Sequence, residues 1–157
     1  MSKTEIIAEA GRQEVVITHW LKAPREKVFA AICDPEVLPQ WWGPSRLSTR
    51  VEEFNATDAG RWRVIQSDDS GHEFAFNGVY HLSTAPSMQV RTFEFEGLPE
   101  RHVAMETLTL TEKDGGTLWT ATSVFQSVAD RDAMIASGME SGVREGMERL
   151  GEYLLSV

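Results

Sequence analysis

Hydrophobic and polar residues alternate with a period of about two through most of the region from Ser45 to Phe125. This alternation predicts β-strands, because successive side chains of a strand point to opposite faces of the sheet. An earlier strand is predicted where Val15, Ile17 and His19 share one face. The loops between successive strands are short, so we expect an antiparallel meander, since parallel strands need long crossover connections. The later strands are predicted near 46–54, 60–66, 73–83, 88–96, 102–111 and 117–125.

The C-terminal segment has the period of a helix. Its apolar residues recur at steps of three and four, which places them on one stripe of a long helix. Ser127 and Asp130 predict the N-terminal cap of this segment. Two short helices are predicted after the first strand, one opened by Pro24 and one by Asp34 and Pro35. Residues 1–12 are polar, and we expect them to be frayed. The stripe consists of Ile135, Met139, Val143, Met147, Leu150 and Leu154.

These elements predict one α+β domain over residues 1–157, with a core of about 14–155. The long helix has one place to bury its stripe, the concave face of a curved antiparallel sheet. Gly138, Gly142 and Gly146 recur along this helix, and each glycine costs about 1 kcal/mol relative to Ala. That cost needs an offset, which is either the close approach of a strand or space for a ligand.

We therefore predict a mostly apolar ligand cavity between the sheet and the C-terminal helix. The alternative is that the same aromatic and methionine side chains fill an ordinary core. The predicted cavity residues are Trp42, Trp62, Phe74, Phe76, Tyr80, Phe93, Phe95, Trp119, Ala121, Ser123, Met134, Gly138, Met139, Gly142, Val143 and Met147.

One carboxylate is a candidate for chemistry in that cavity. Glu106 shares its strand parity with Leu108 and Leu110, so it points inward if they do. A buried carboxylate needs a partner or a raised pKa, and a structural ion pair is the alternative to a catalytic role. The opposite register of the strand would place Glu106 at the surface. The catalytic candidates are Glu106 and its potential partners Tyr80, His81 and Arg91.

Motifs for other chemistries are missing from the sequence. The histidines are scattered without metal-binding spacing, and no nucleotide loop or nucleophile elbow is present. We therefore expect no metal and no cofactor. Cys33, the single cysteine, is interpreted as a small buried residue, and it indicates a reducing, cytoplasmic location together with the absence of a signal sequence.

Charge and hydropathy exclude two classes of partner. The net charge is −9, with 24 acidic against 15 basic residues, whereas a nucleic-acid binder needs clustered Lys and Arg. No segment approaches the roughly 20 apolar residues that a membrane-spanning helix requires. We expect neither nucleic-acid binding nor membrane insertion.

Short segments in a fixed order and spacing run from about Val15 to Leu155. They include Ala23-Pro24, Asp34-Pro35, Trp41-Trp42-Gly43-Pro44, Gly60-Arg61-Trp62, Gly78-Val79-Tyr80, Gly115-Gly116-Thr117 and Arg131-Asp132. Together they resemble the START-like (SRPBCC) superfamily. Within it, the chain is similar to the family named after the C-terminal domain of the heat-shock protein 90 ATPase activator. The resemblance implies a helix-grip fold, in which the sheet grips the C-terminal helix around a cavity.

Three functions follow as hypotheses. The leading one is a binder of a small apolar or aromatic ligand, without an enzymatic role. The second is an enzyme of the polyketide cyclase, aromatase or dehydratase type. The third is a co-chaperone-like or homodimeric interaction module that uses Trp41 and Trp42, because Trp is enriched at interfaces. The activator's additional chaperone-binding domain has no counterpart in this chain, which argues against a chaperone partner.

Overall fold

The computed structural model describes residues 3–157 and is built on one antiparallel sheet. Its strands are β1 (Glu5–Ile7), β2 (Glu14–Leu21), β3 (Ser48–Phe54), β4 (Arg61–Ser67), β5 (Glu73–Thr84), β6 (Met88–Phe95), β7 (Val103–Lys113) and β8 (Gly116–Val124). Its helices are α1 (Arg25–Ile32), α2 (Val128–Ala136) and α3 (Met139–Ser156), with a 3-10 turn at Leu38–Gln40. The strand order is β1-β2-β8-β7-β6-β5-β4-β3.

The strands predicted from the alternation are present, with ends that differ by one or two residues. From β3 to β8 each strand pairs with the next one along the chain, as a meander requires. Pairing of β2 with β8 then joins the start of the chain to its last strand. No helix among residues 3–157 is long and apolar enough to cross a membrane.

The curved sheet wraps around α3, and the C-terminal half of the helix's apolar stripe is buried against it. Leu150 and Leu154 are buried in one core cluster with Leu108 and Leu110 of β7 and with Leu21 of β2. Burial of a leucine side chain contributes roughly 1.5–3 kcal/mol, so this contact is a main attachment of the helix. The arrangement is the helix-grip α+β fold that the sequence predicts.

The N-terminal segment is more ordered than predicted. Residues 5–7 were expected to be frayed, but they form β1, with Ile6 opposite Ile17 of β2. The Thr4 hydroxyl lies 2.9 Å from Nδ1 of the buried His19 side chain. A strand of three residues is too short to show a period, and the pairing partner that stabilises it lies elsewhere in the chain.

The C-terminal helical segment is divided in two, whereas one long helix was predicted. Gly138 has a positive φ of 88°, a left-handed conformation that separates α2 from α3. The predicted cap is present, because the Asp130 backbone N–H donates to Ser127 Oγ at 3.0 Å. The second short helix also differs, since Asp34 accepts a hydrogen bond from the Glu36 N–H but only a 3-10 turn follows.

Candidate functional site

A cavity of about 350 Å³ lies between the concave face of the sheet and the helices α2 and α3. Its floor is formed by inward-facing residues of β2 and of β3 to β8, and its roof by both helices and the segment 41–43. Most of the wall is apolar, with aromatic, aliphatic and methionine side chains. This volume is at the lower end of the roughly 300–1,000 Å³ typical of small-molecule sites.

One polar row crosses the floor of the cavity. Tyr80, Arg91, Glu106 and Ser123 are direct partners on the neighbouring strands β5, β6, β7 and β8. Side chains opposite each other on antiparallel strands lie close enough to interact. The row therefore places two charged and two hydroxyl-bearing side chains side by side, and Val15 of β2 continues it as an apolar residue.

The ion pair of Arg91 and Glu106 is the centre of this row. Arg91 Nε donates to Glu106 Oε1 at 2.9 Å, and Ser123 Oγ donates to Glu106 Oε2 at 3.2 Å. The side chains of Arg91 and Glu106 are 21% and 26% accessible, and both line the cavity. Glu106 thus has the inward orientation of Leu108 and Leu110, and Arg91 is its partner.

Aromatic rings hold the Arg91 guanidinium in place. Its Cζ lies 4.4 Å from the centroid of the Trp62 ring and 5.9 Å from that of Tyr80. Although burial opposes its charge, the pKa of Arg91 is raised, because the Glu106 carboxylate and Tyr80 favour the charged form. Burial raises the pKa of the Tyr80 phenol, and the charge of Arg91 offsets part of that effect. At neutral pH the row therefore contains a charged guanidinium beside a neutral phenol.

Apolar residues flank the polar row on both sides. On one side Phe93 of β6 pairs with Ala104 of β7. On the other side Leu108 of β7 pairs with Ala121 of β8, which pairs in turn with Ile17 of β2. A ligand on the floor would thus meet the polar row with apolar residues on either side, and Gln89 of β6, the partner of Leu108, adds an amide at one edge.

Tryptophans surround the cavity at the end nearest residues 41–43. Trp42 lies edge-on to Phe76, with centroids 5.1 Å apart, and edge-on to Trp62 at 6.5 Å. Trp41 is buried and lies edge-on to Trp119 at 6.3 Å. Within residues 3–157, Trp41 Nε1 is buried without a hydrogen-bond partner. Both adjacent indoles pack inward, which the sequence left open.

The helix glycines have different roles. A Cβ added to Gly146 would lie 3.3 Å from the carbonyl oxygen of Trp41, and one added to Gly142 would lie 3.4 Å from Cδ of Pro44. These two glycines therefore let α3 approach the segment 41–44. The sequence had left two explanations for them, the close approach of a strand or space for a ligand, and the neighbour is a loop segment instead. Gly138 has no atom within 4 Å of such a Cβ and serves the left-handed turn instead.

The structure places most of the predicted cavity residues on its wall. They are Trp42, Phe76, Tyr80, Phe93, Trp119, Ala121, Ser123, Met134, Met139, Gly142, Val143 and Met147. The catalytic candidates Tyr80, Arg91 and Glu106 join them there, whereas His81 is exposed because it follows Tyr80 on the strand and points to the other face.

Four predicted cavity residues lie off the wall. Trp62 is buried behind Arg91 and the Phe93 ring, whose centroid is 5.7 Å away. Phe95 of β6 is the direct cross-strand partner of Phe76 and packs on its ring without lining the cavity. Phe74 is half-buried beyond the cavity, towards the start of β5, and Gly138 is exposed between the helices. Parity gives the face of a strand but not how far along it the cavity extends.

Two buried glutamines on the wall were not predicted from the sequence. Gln66 donates to the Trp42 carbonyl oxygen at 3.4 Å, and Gln89 donates to Cys33 Sγ at 3.3 Å. Gln66 has the same strand parity as Trp62, and Gln89 the same as Arg91, so parity alone would have placed both on the inward face. They were overlooked because a polar residue in a strand is usually exposed. Burial raises the pKa of the Cys33 thiol to about 11, so it is protonated and a poor nucleophile at neutral pH.

The fold and the site place the chain among helix-grip, START-like proteins. Residues 22–155 match the family described as "Activator of Hsp90 ATPase homolog 1-like protein". The chain belongs to this family. No curated protein matches it.

Solved structures with the same fold come from several bacteria. A protein of Mycobacterium smegmatis superposes with a TM-score of 0.88 at 19% identity, over 99% of each chain. A protein of Rhodobacter sphaeroides superposes with a TM-score of 0.89 at 20% identity, also over 99% of each chain. A solution structure from Arthrobacter aurescens gives 0.88 at 23%, over 98% of this chain and 92% of that one. At these identities the likeness establishes the fold alone.

Proposed function

We propose that this protein binds a small, largely apolar or aromatic ligand in the cavity between its sheet and its C-terminal helices. The observation that carries the proposal is the cavity of about 350 Å³, which has a mostly apolar wall and one polar row. Well-packed interiors leave few voids larger than a water molecule, so a space of this size is unusual for a core alone. The chain has a single cysteine, which is typical of proteins in a reducing compartment, and we propose a cytoplasmic location.

The composition of the wall suits an aromatic ligand. Trp42, Phe76 and Phe93 present ring edges and faces, and such aromatic pairs contribute about 0.5–1.5 kcal/mol beyond the buried area. Met134 and Met139 on the opposite side have flexible thioethers that adapt to irregular shapes. Binding would therefore depend on apolar burial, with the polar row setting the orientation.

Native mass spectrometry of the protein purified from its host tests this proposal, together with a thermal-shift screen of small aromatic compounds. The matched variants are Ala121→Phe, which fills the floor of the cavity, and Thr120→Phe, on the opposite face of the same strand. We expect ligands to bind wild type and Thr120→Phe but not Ala121→Phe. Absence of bound ligand in wild type, or equal binding by Ala121→Phe, would contradict the proposal.

An enzymatic role is a second candidate, and the inward position of Glu106 favours it. A carboxylate that faces an apolar cavity can act as a general base when a substrate proton comes within hydrogen-bond reach. We propose to incubate wild type and Glu106→Gln with linear polyketides and to follow cyclised or dehydrated products. If wild type forms product and the variant does not, Glu106 has a catalytic role. If both form product at the same rate, Glu106 is not the catalytic base.

A further inference from the structure

The Arg91–Glu106 pair indicates which polar group a ligand of this cavity would have. This inference rests on the proposed ligand binding. Both charges lie in the wall of the same mostly apolar cavity and are bonded to each other. Their accessible fractions face the space that a ligand would fill. We propose that the ligand is an uncharged aromatic compound in which a carbonyl oxygen lies next to an N–H or O–H donor, as in an aromatic amide.

Charge balance supports a neutral ligand. Arg91 and Glu106 cancel each other, and the remaining polar side chains of the wall, such as Tyr80, Ser123, Gln66 and Gln89, carry no formal charge. A carboxylate or an ammonium group would bring a third, uncompensated charge out of water into an apolar space. Such desolvation is costly unless the charge is paired. An uncharged polar group avoids that cost.

The hydrogen-bonding capacity of the pair supports a ligand with both an acceptor and a donor. Arg91 carries five N–H donors; its Nε donates to Glu106, and Tyr80 is a second hydrogen-bonding neighbour of the guanidinium. These two partners leave further N–H groups on the terminal nitrogens that can donate to a carbonyl oxygen. Glu106 accepts one hydrogen bond at each oxygen, and each carboxylate oxygen has a further lone pair. An N–H or O–H of the ligand would donate there.

The geometry of the sheet places these two functions close together. Arg91 and Glu106 are direct cross-strand partners, so their side chains stand next to each other above the floor. Apolar side chains lie on both sides of the row, with Phe93 and Ala104 on one side and Leu108 and Ala121 on the other. An aromatic ring can rest on an apolar band while its polar substituent contacts the pair.

A set of naphthalene derivatives of similar size tests the inference by isothermal titration calorimetry at pH 7. The probes are 2-naphthamide (acceptor and donor), 2-acetylnaphthalene (acceptor only), 2-naphthoate (anion), 2-naphthylmethylammonium (cation) and naphthalene itself. We expect wild type to bind 2-naphthamide about tenfold or more tightly than each of the others, since hydrogen bonds to charged groups are strong. The wild-type ranking alone decides the inference, whether or not a variant folds.

A charge-changing variant gives an independent readout. Glu106→Gln leaves Arg91 uncompensated, so the preference should shift from 2-naphthamide to 2-naphthoate. The matched control is Glu112→Gln, the same substitution at an exposed position of β7. It should preserve the wild-type ranking. A thermal unfolding curve of each variant confirms that it is folded before titration.

The outcomes separate this inference from the proposed function. If naphthalene binds as tightly as 2-naphthamide, or if 2-naphthoate or the ammonium compound binds best to wild type, the inference is overturned while ligand binding stands. If none of the probes binds, naphthalene included, the proposed ligand binding is contradicted and the inference falls with it. A preference for 2-naphthamide that is lost in Glu106→Gln and kept in Glu112→Gln supports both.

Discussion

Arg91 of β6 and Glu106 of β7 form an ion pair of 2.9 Å on the floor of an apolar cavity, directly opposite each other in the sheet. The pair is the only part of the polar row that carries formal charge, and Trp62 supports the guanidinium from behind at 4.4 Å. Removal of one partner would leave the other charge uncompensated inside the protein. A change to either residue should therefore alter both the free energy of unfolding and the charge that the cavity presents to a ligand.

The first prediction concerns that coupling. Arg91→Met should lower the free energy of unfolding by about 3–5 kcal/mol, because it leaves the Glu106 carboxylate unpaired. The double variant Arg91→Met/Glu106→Leu should be more stable than Arg91→Met alone, since well-packed apolar residues can replace a buried pair. Urea denaturation of Arg91→Met, Glu106→Leu and the double variant measures these differences. A double variant that loses as much as the two single variants combined would show that the residues act independently.

A second prediction compares two glycines of α3. Gly151→Ala should stabilise the protein by about 1 kcal/mol, because a Cβ there is 3.9 Å from Leu21 and Ala has the higher helix propensity. Gly146→Ala should gain clearly less or destabilise, since its Cβ would lie 3.3 Å from the Trp41 carbonyl oxygen. Thermal and urea unfolding of the two variants give the comparison. Equal stabilisation at both sites would mean that segment 41–44 does not constrain the helix.

A third prediction concerns the turn between α2 and α3. Gly138→Ala should destabilise the protein by about 1–2 kcal/mol, because φ is 88° there and a left-handed conformation is unfavourable for Ala. No neighbouring atom lies within 4 Å of the new Cβ, so the cost is conformational rather than steric. Gly138→Asn should lose less, since Asn tolerates this region. Chemical denaturation that finds all three proteins equally stable would contradict the assigned turn.

The strands were predicted from the sequence, and the face of Glu106 was tied to that of Leu108 and Leu110 while the register of the strand stayed open. A strand has a period of two, so the buried positions of Leu108 and Leu110 determine the side of Glu106. The break at Gly138 was missed because the apolar stripe continues across it, and a stripe records only which face is buried. The polar row depends on the register between four strands, which turns and bulges set and which no single strand displays. The outline of the cavity depends on where segment 41–44 meets α3.

A fourth prediction concerns pH. Burial lowers the pKa of the His19 imidazole, and the nearby Glu148 carboxylate opposes this effect. The unfolded chain has a His pKa of about 6.5, so below that pH it binds more protons than the folded state. The free energy of unfolding should therefore fall as the pH drops below about 6.5.

The control for this effect is a second histidine. His19→Gln should flatten the decline below about pH 6.5, whereas His81→Gln, at an exposed position, should leave it in place. Urea unfolding at a series of pH values provides the comparison. A decline that persists unchanged in His19→Gln would assign it to other groups.

The central claim, that the cavity binds a small aromatic ligand, is tested most directly by NMR of protein labelled at its alanine and methionine methyl groups. Ala104, Ala121, Met134 and Met139 line the cavity, whereas Met105 is 50% exposed on the other face of β7 and serves as an internal reference. Titration with naphthalene should shift the four cavity methyl signals, saturate at one site and leave Met105 unchanged. Unchanged cavity signals, or shifts as large at Met105 as within the cavity, would contradict the claim.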